Sequence, residues 1–448
     1  MAIDAARLGG MAQRERERYA RERPRSAELA AASRAHWLHG VPLHWMQDWG
    51  TPFPLFVREA RGARLLDADG HAYADFCLGD SGALFGHAPE PVARALAAQA
   101  ARGLTAMLPG ERVAAVGALL AERFGLPYWQ LVQTATEANR AVLRYARAAT
   151  GRRRVLVFDG CYHGTVDETM VRLREGRTVA RAGQVGAPFE LAAHSVAVPF
   201  NDVAALEQAL AARDIACVLA EPVMTNVGMV LPQPGFLDAL RRLTRAAGTL
   251  LAIDETHTLS SGLGGYARVH GLAADFLVCG KAVAGGMPCA VYGFSAEVEA
   301  ALRRVWRERE GGHSGLGTTL SANLLALAAL EATLSELMTP AAYTRMERLA
   351  LRLELGLEAL LRARAAGWHV ARVGARLELG FGAAPPRNAV ESEAAMHPEL
   401  EHALHLYLLN RGVLLTPFHN MMLLSPATQD ADVDRLLAAL DAALAELA

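Results

Sequence analysis

FLVCGKAVAGG, residues 276–286, carries the reading that decides the fold. A short apolar run ends in one lysine, Lys281, and a tract of small residues follows. Strands buried on both faces of a parallel sheet read as such near-continuous apolar runs. The same pattern recurs upstream at WQLVQ (129–133), RVLVFD (154–159), IACVLA (215–220) and LLAID (250–254), with helical stretches between. Thr134, Asp159, Glu221, Asp254 and Lys281 fall at the ends of these runs. In open α/β sheets the carboxyl ends of the strands line the ligand crevice, so these five are the first residues to consider for chemistry. The pattern predicts an α/β domain over residues 73–315, a mixed, mostly parallel sheet flanked by helices.

Beyond 315 the character changes. The long helical stretch ANLLALAALEATLSEL gives way to weaker strand signals around GWHVARVG, ARLELGF and NMMLLSP. Residues 316–448 are therefore expected to form a smaller α+β domain, completed by part of segment 1–72. Within that segment the charged run RERERYARERPR predicts a helical, solvent-facing arm, and Pro42, Pro52 and Pro54 punctuate the link that follows. A chain of 448 residues with 52% hydrophobic side chains can bury one large and one smaller core. Single cores stop growing near ~250–300 residues.

Composition narrows the partners. A formal net charge of −2 supplies no clustered basic excess, so neither nucleic acid nor an anionic membrane surface is expected. No stretch approaches the ~20 apolar residues of a membrane span, and the N-terminus lacks the apolar core of a signal peptide, which makes the cytoplasm the expected location. Five scattered cysteines never form C-x-x-C; they are expected to be reduced and buried, with no metal site. Other motifs fail. H-E-x-x-H and G-x-S-x-G are absent, and Asp275 stands where a Walker A motif ending at Lys281 would need glycine.

The 45 Lys+Arg residues include a single lysine, Lys281. Arginine holds its proton too tightly to attack a carbonyl, whereas a desolvated lysine can lose it and form an imine. Asp254 precedes Lys281 by 27 residues (281 − 254), enough for a crossover that brings two neighbouring strand ends together. Structurally such a pair is a buried ion pair. Chemically, a carboxylate and an amine facing one pyridinium ring would keep the ring nitrogen protonated and shuttle protons at the substrate carbon. Thr134-Ala135-Thr136-Glu137 is a capping box at the start of a helix, and its open first-turn N–H groups make an anion site.

These residues resemble the class III aminotransferases, enzymes of pyridoxal 5'-phosphate (PLP) fold type I. The likeness is greatest to the branch of glutamate-1-semialdehyde aminomutases and β-amino-acid transaminases. The matching pieces are DADGHAYADF (67–76), FGH (85–87), QTATEAN (133–139), CYHG (161–164), AEPV (220–223), AIDET (252–256), CGKAVAGG (279–286) and TTLSANLLALAA (318–329). The resemblance implies that Lys281 carries PLP as a Schiff base, that Asp254 pairs with the ring nitrogen, and that Tyr162, with His163 beside it, lies against the ring. Thr134, Ala135 and Thr136 would hold the phosphate, with Glu221 and Thr256 near the cofactor. Thr319, with Thr318 where the family has glycine, would reach the phosphate of a partner subunit, which implies a homodimer with shared sites.

Three departures bear on phosphate and substrate. Ala135 replaces a permissive glycine, so the turn must avoid positive φ there. Thr256 stands for a branched apolar residue, with His257 after it. Where β-amino-acid transaminases place carboxylate-binding arginines, this chain has Trp45 and Phe418. The substrate pocket is accordingly expected among His44, Trp45, Asp80, Ser81, His257, Phe418, His419 and Asn420. The leading expectation is an aminotransferase moving an amino group between an amino acid or amine donor and a separate carbonyl acceptor. The alternatives are an intramolecular aminomutase, an amino-acid racemase or epimerase, and a non-catalytic scaffold of the same fold.

Overall fold

The computed structural model describes residues 3–308 and 314–448. They form two compact units: a larger one of Glu90–Pro340 with Pro386–Glu393, and a smaller one of Met1–Pro89, Ala341–Pro385 and Ala394–Ala448. The seven strands of the larger unit are β1 (Tyr128–Val132), β2 (Arg154–Phe158), β3 (Ser195–Val198), β4 (Ile215–Ala220), β5 (Leu250–Asp254), β6 (Phe276–Cys279) and β7 (Ala290–Phe294). Their order across the sheet is β1-β7-β6-β5-β4-β2-β3. β7 runs antiparallel to both its neighbours, and the other pairings are parallel. This is the expected α/β architecture.

The five runs read from sequence are all strands. β3 and β7 were not among them: SVAV is short, and β7 lies just past the glycine tract, with only the short 3-10 helix Lys281–Ala284 between it and β6. The runs lack polar alternation because both faces are covered; every residue of β4 is buried. On one face, Val155 and Val157, Cys217 and Leu219, and Phe276 and Val278 share a core with Ala138, Ala141 and Val142 of helix α1 (Ala135–Thr150). Alternate residues of a strand face one way, so each strand contributes every second side chain to this layer. Each buried valine or leucine there stabilises by roughly 1.5–3 kcal/mol.

The boundaries differ from those suggested by composition. The strand Ala72–Asp75 pairs with Arg64–Asp67 and Val413–Leu414, which ties the chain up to Pro89 into the smaller unit. The helix Leu324–Ala332 packs on Glu90–Ala100 and so remains in the larger unit, which runs to Pro340 rather than ending near 315. Within the smaller unit, His369–Val373, Arg376–Gly380 and Met421–Leu423 form a second, antiparallel sheet at the three weaker strand signals.

The N-terminal arm is helical as expected, with most of its surface exposed but one stripe buried. Along the helix Ala5–Glu22, Leu8, Met11, Glu15 and Tyr19 are buried. Arg23 is also buried, donating to the Tyr73 hydroxyl at 3.1 Å and to Asn410 Oδ1 at 2.9 Å. The density of charge in RERERYARERPR hid an apolar stripe at helical spacing. All five cysteines are buried and unpaired. Among the described residues no single helix is long and apolar enough to cross a membrane, and no cluster of metal-ligating side chains occurs.

Candidate active site

The strand ends converge in the larger unit. Asp254 closes β5 and sits opposite Val278 of the parallel β6, and the Glu255 N–H continues the pairing onto the Val278 carbonyl at 2.7 Å. Lys281 follows β6 by two residues, so the carboxylate and the amine leave adjacent strands at the same edge. Lys281 is half-buried, and its backbone is left-handed, with φ at 50°. A non-glycine residue there is held against its preference by its surroundings, a feature that clusters at functional sites.

Asp254 is buried and highly coordinated. Its Oδ2 accepts from Asn139 Nδ2 at 2.8 Å and lies 3.0 Å from His163 Nδ1, while Oδ1 accepts the Thr256 N–H at 3.1 Å. Burial raises the carboxyl, but the bonds and charge of His163, with the bonds from Thr256 and Asn139, outweigh it and hold Asp254 below its ordinary value. Burial likewise opposes a charged His163, yet the Cys161 sulfur and the Asp254 carboxylate raise that ring to about 10. The pair is therefore an imidazolium and a carboxylate at neutral pH. A carboxylate offers about four acceptor sites, and three are filled here.

At the other end, Thr134 caps α1. The Glu137 N–H donates to Thr134 Oγ1 at 3.2 Å, and Glu137 Oε2 accepts from the N–H groups of Gln133 at 2.9 Å and Thr134 at 3.2 Å. The N–H groups of Ala135 and Thr136 have no intrahelical carbonyl to reach and point out of the helix N-terminus. Ala135 has ordinary helical backbone, as its substitution for glycine requires. Two glycines join this end to the rest of the site. A Cβ at Gly280 would lie 3.0 Å from Ala135 Cβ, so the residue before Lys281 packs directly on the helix start. Gly164 has φ of 75°, and a Cβ there would run into Thr136 Oγ1, which accepts the Thr165 N–H at 3.2 Å.

Glu221, just past β4, is buried and accepts from the Tyr162 N–H at 3.2 Å and from Thr225 Oγ1 at 2.6 Å. Burial raises its carboxyl despite the nearby His163 charge. It anchors the backbone of Tyr162, a residue that is 39% exposed. Asp159, the remaining strand-end carboxylate, serves structure: it accepts from Arg172 Nε and the Leu173 N–H, both at 2.7 Å. Thr318 and Thr319 are exposed and line a separate open groove of about 850 Å³ with Met107, Leu108 and Leu324. Neither Lys281 nor Asp254 lines that groove.

The remaining candidates, except His257, belong to the smaller unit. His44 and Trp45 are exposed on a short 3-10 turn. Asp80, Ser81, His419 and Asn420 all have left-handed backbone, with φ between 48° and 76°. Phe418 lies edge-on to Trp49, with ring centroids 6.5 Å apart, and His419 Nδ1 is 3.5 Å from Glu378. His257 belongs with the lysine: its Nε2 is 2.9 Å from Lys281 Nζ. Asn139 is the contributor not singled out from sequence. The available signal was an asparagine on the buried stripe of α1, between Ala138 and Ala141.

An amine, a carboxylate with one open acceptor site and a helix N-terminus are the three attachments that the aldehyde, ring nitrogen and phosphate of PLP require. The donor set therefore fits that cofactor, and the fold and site define a PLP-dependent enzyme of fold type I. The chain matches the aminotransferase class-III family over residues 45–444 and belongs to it. A glutamate-1-semialdehyde-aminomutase from Pseudomonas aeruginosa PAO1, known from its crystal structure, is 50% identical, with a TM-score of 0.97 and coverage of 100% of both chains. A lysine-to-alanine variant of that aminomutase has been solved in complex with PMP. A glutamate-1-semialdehyde 2,1-aminomutase from Sorangium cellulosum is 37% identical over 398 residues, 88% of this chain and 89% of its own. An omega-transaminase from Sphaerobacter thermophilus is 29% identical, with a TM-score of 0.86 over 94% of this chain and 97% of its own.

Proposed function

We propose that this protein is an intramolecular aminomutase that moves an amino group between adjacent carbons of one substrate, with glutamate-1-semialdehyde as the substrate to test first. The observation that carries this reading is the 50% identity, over the whole of both chains, to the Pseudomonas aeruginosa aminomutase. It favours the aminomutase over transfer between separate donor and acceptor, the reading suggested first by sequence. The omega-transaminase relative keeps that second reading as the competitor in the assay.

PLP, when bound, supplies an electron sink for the pair released as a carbon–hydrogen bond beside the amino group breaks. The chain supplies the rest. Ionised Asp254 holds a proton on the ring nitrogen, and His163, Asn139 and Thr256 fix the carboxylate for that task. The Lys281 amine would hold the cofactor's aldehyde carbon, and as a free amine it would move the proton at the reacting carbons of the substrate. The N–H groups of Ala135 and Thr136 with the Thr134 cap take the phosphate, and Glu221 orients Tyr162 beside the ring. Thr319, with Thr318, serves the phosphate site of a second copy in a homodimer.

Moving the amino group of glutamate-1-semialdehyde from C2 to C1 and the carbonyl from C1 to C2 gives 5-amino-4-oxopentanoate, an isomer. No second substrate is consumed. The test is incubation of the PLP-loaded enzyme with glutamate-1-semialdehyde alone, with the product followed by mass and retention time. Many turnovers without any added acceptor support the aminomutase. A cofactor spectrum that changes once with simple amine donors, and is restored only by an added carbonyl compound, overturns it in favour of the transaminase.

A further inference from the structure

We propose that His257 is a positioning residue for Lys281: its ring holds the lysine amine and exchanges a proton with it, so that Nζ keeps a free lone pair when a carbonyl must be captured. His257 Nε2 and Lys281 Nζ are 2.9 Å apart. The two residues leave neighbouring parallel strands, His257 three positions past the end of β5 and Lys281 two past the end of β6.

Both backbones are tied down. Lys281 is fixed in its left-handed conformation between Gly280, packed on Ala135, and the buried Ala282, Val283 and Ala284. The turn carrying His257 is closed by the Leu259 N–H on the Glu255 carbonyl at 2.9 Å and by Ser260 Oγ on the His257 carbonyl at 3.0 Å. Glu255, buried beneath it, accepts from the Thr258 hydroxyl and from the Tyr266 N–H at 2.9 Å. A rotameric accident at a surface would have none of this support.

Two nitrogens at hydrogen-bond distance share one hydrogen on the line between them. A charged lysine has three donors and no acceptor, so Nε2 then accepts; a neutral lysine accepts, and Nε2 then donates. Passing that hydrogen from Nζ to Nε2 frees the lone pair that attacks an aldehyde. Condensation then forms one C=N bond and expels the carbonyl oxygen as water with the two remaining amine hydrogens, and the ring can return its proton to the new nitrogen. The reverse transfer leaves Nζ charged and unreactive. Sequence alone had grouped His257 with the substrate pocket; the geometry points it at the amine.

The inference rests on Lys281 being the amine that captures the cofactor, and it holds whichever substrate the enzyme takes. The full-length protein, stripped of cofactor, is mixed with PLP. Growth of the visible band is followed in stopped flow, with borohydride quenches read by intact mass. Because Lys281 is the only lysine, the mass gain reports that side chain, with the chain's N-terminal amine as its one competitor. His257→Phe is expected to slow capture at least tenfold, and His257→Gln, which keeps a hydrogen-bonding group at the ε position without titrating, to recover most of the holding and only part of the rate.

Pyridoxamine phosphate, which has no aldehyde, should bind both variants within twofold of the parent, a result that a merely structural role would not give. Capture by His257→Phe at the parental rate overturns the proposal. So does a parallel loss of pyridoxamine phosphate affinity, which would make His257 a support of the cofactor cavity. No mass gain in the parent itself would instead sink the assignment of Lys281.

Discussion

Replacing Asp254 by asparagine tests the centre of the site without changing its shape. Asp254 Oδ2 faces two donors, Asn139 Nδ2 and His163 Nδ1, and Oδ1 faces a third, the Thr256 N–H. An asparagine amide turned either way sets its own NH₂ against at least one of them, which leaves a buried donor unmade at about 1–3 kcal/mol. It also removes one of the charges that raise His163, which despite its burial stands at about 10 in the fold, with the Cys161 sulfur as the largest raising cause and the Asp254 bond and charge after it. Breaking a buried pair by removing one partner costs about 3–5 kcal/mol, so Asp254→Asn is expected to lose about that much near pH 6.

The loss should depend on pH in a definite direction. The raised His163 contributes fully below its unfolded value of 6.5, and the contribution fades as pH climbs through about 10. The depressed Asp254 contributes above its unfolded value of 3.8 and loses that contribution only in stronger acid. The gap between parent and variant should therefore be widest between about pH 4 and 6.5 and narrow toward pH 10. Urea unfolding of both proteins without cofactor, followed by tryptophan fluorescence at pH 6 and pH 10, measures it. A gap under about 1 kcal/mol at pH 6, or one equally wide at pH 10, would refute the ion-pair assignment.

Two further experiments probe the phosphate end and the shared site. Gly164→Ala combines positive φ with a Cβ that meets Thr136, and should weaken PLP affinity at least tenfold by equilibrium dialysis; adding Thr136→Ala, which removes the offending hydroxyl, should not restore the phosphate contact even though it relieves the clash. Mixing Lys281→Ala subunits with Thr319→Ala subunits should regenerate one intact site per mixed dimer if Thr319 serves its partner, raising activity above either variant alone. No gain on mixing would place Thr319 in service of its own subunit or of neither.

What the sequence determined is tied to local chemistry. Five strands were legible because burial on both faces forces unbroken apolar runs, and Lys281 stood out because one primary amine among arginines has reactivity that no arginine can replace. The capping box at Thr134 was legible for the same reason, since its partners lie within one helical turn. Asp254 was singled out from sequence by its spacing to Lys281 and by the family resemblance, but only the tertiary structure showed which groups hold each strand-end carboxylate. Asp159 is taken up by Arg172 and the Leu173 N–H, Glu221 by the Tyr162 and Thr225 groups, and of the three only Asp254 makes a direct contact with a histidine ring nitrogen. The partners come from segments 91 and 115 residues away, brought in by strand order and by a buried asparagine. The contact of His257 with Lys281 is likewise a product of parallel pairing between β5 and β6. Local patterns fix which groups a chain can offer; the register of distant strands sets the distances, and at hydrogen-bond range those distances select the chemistry.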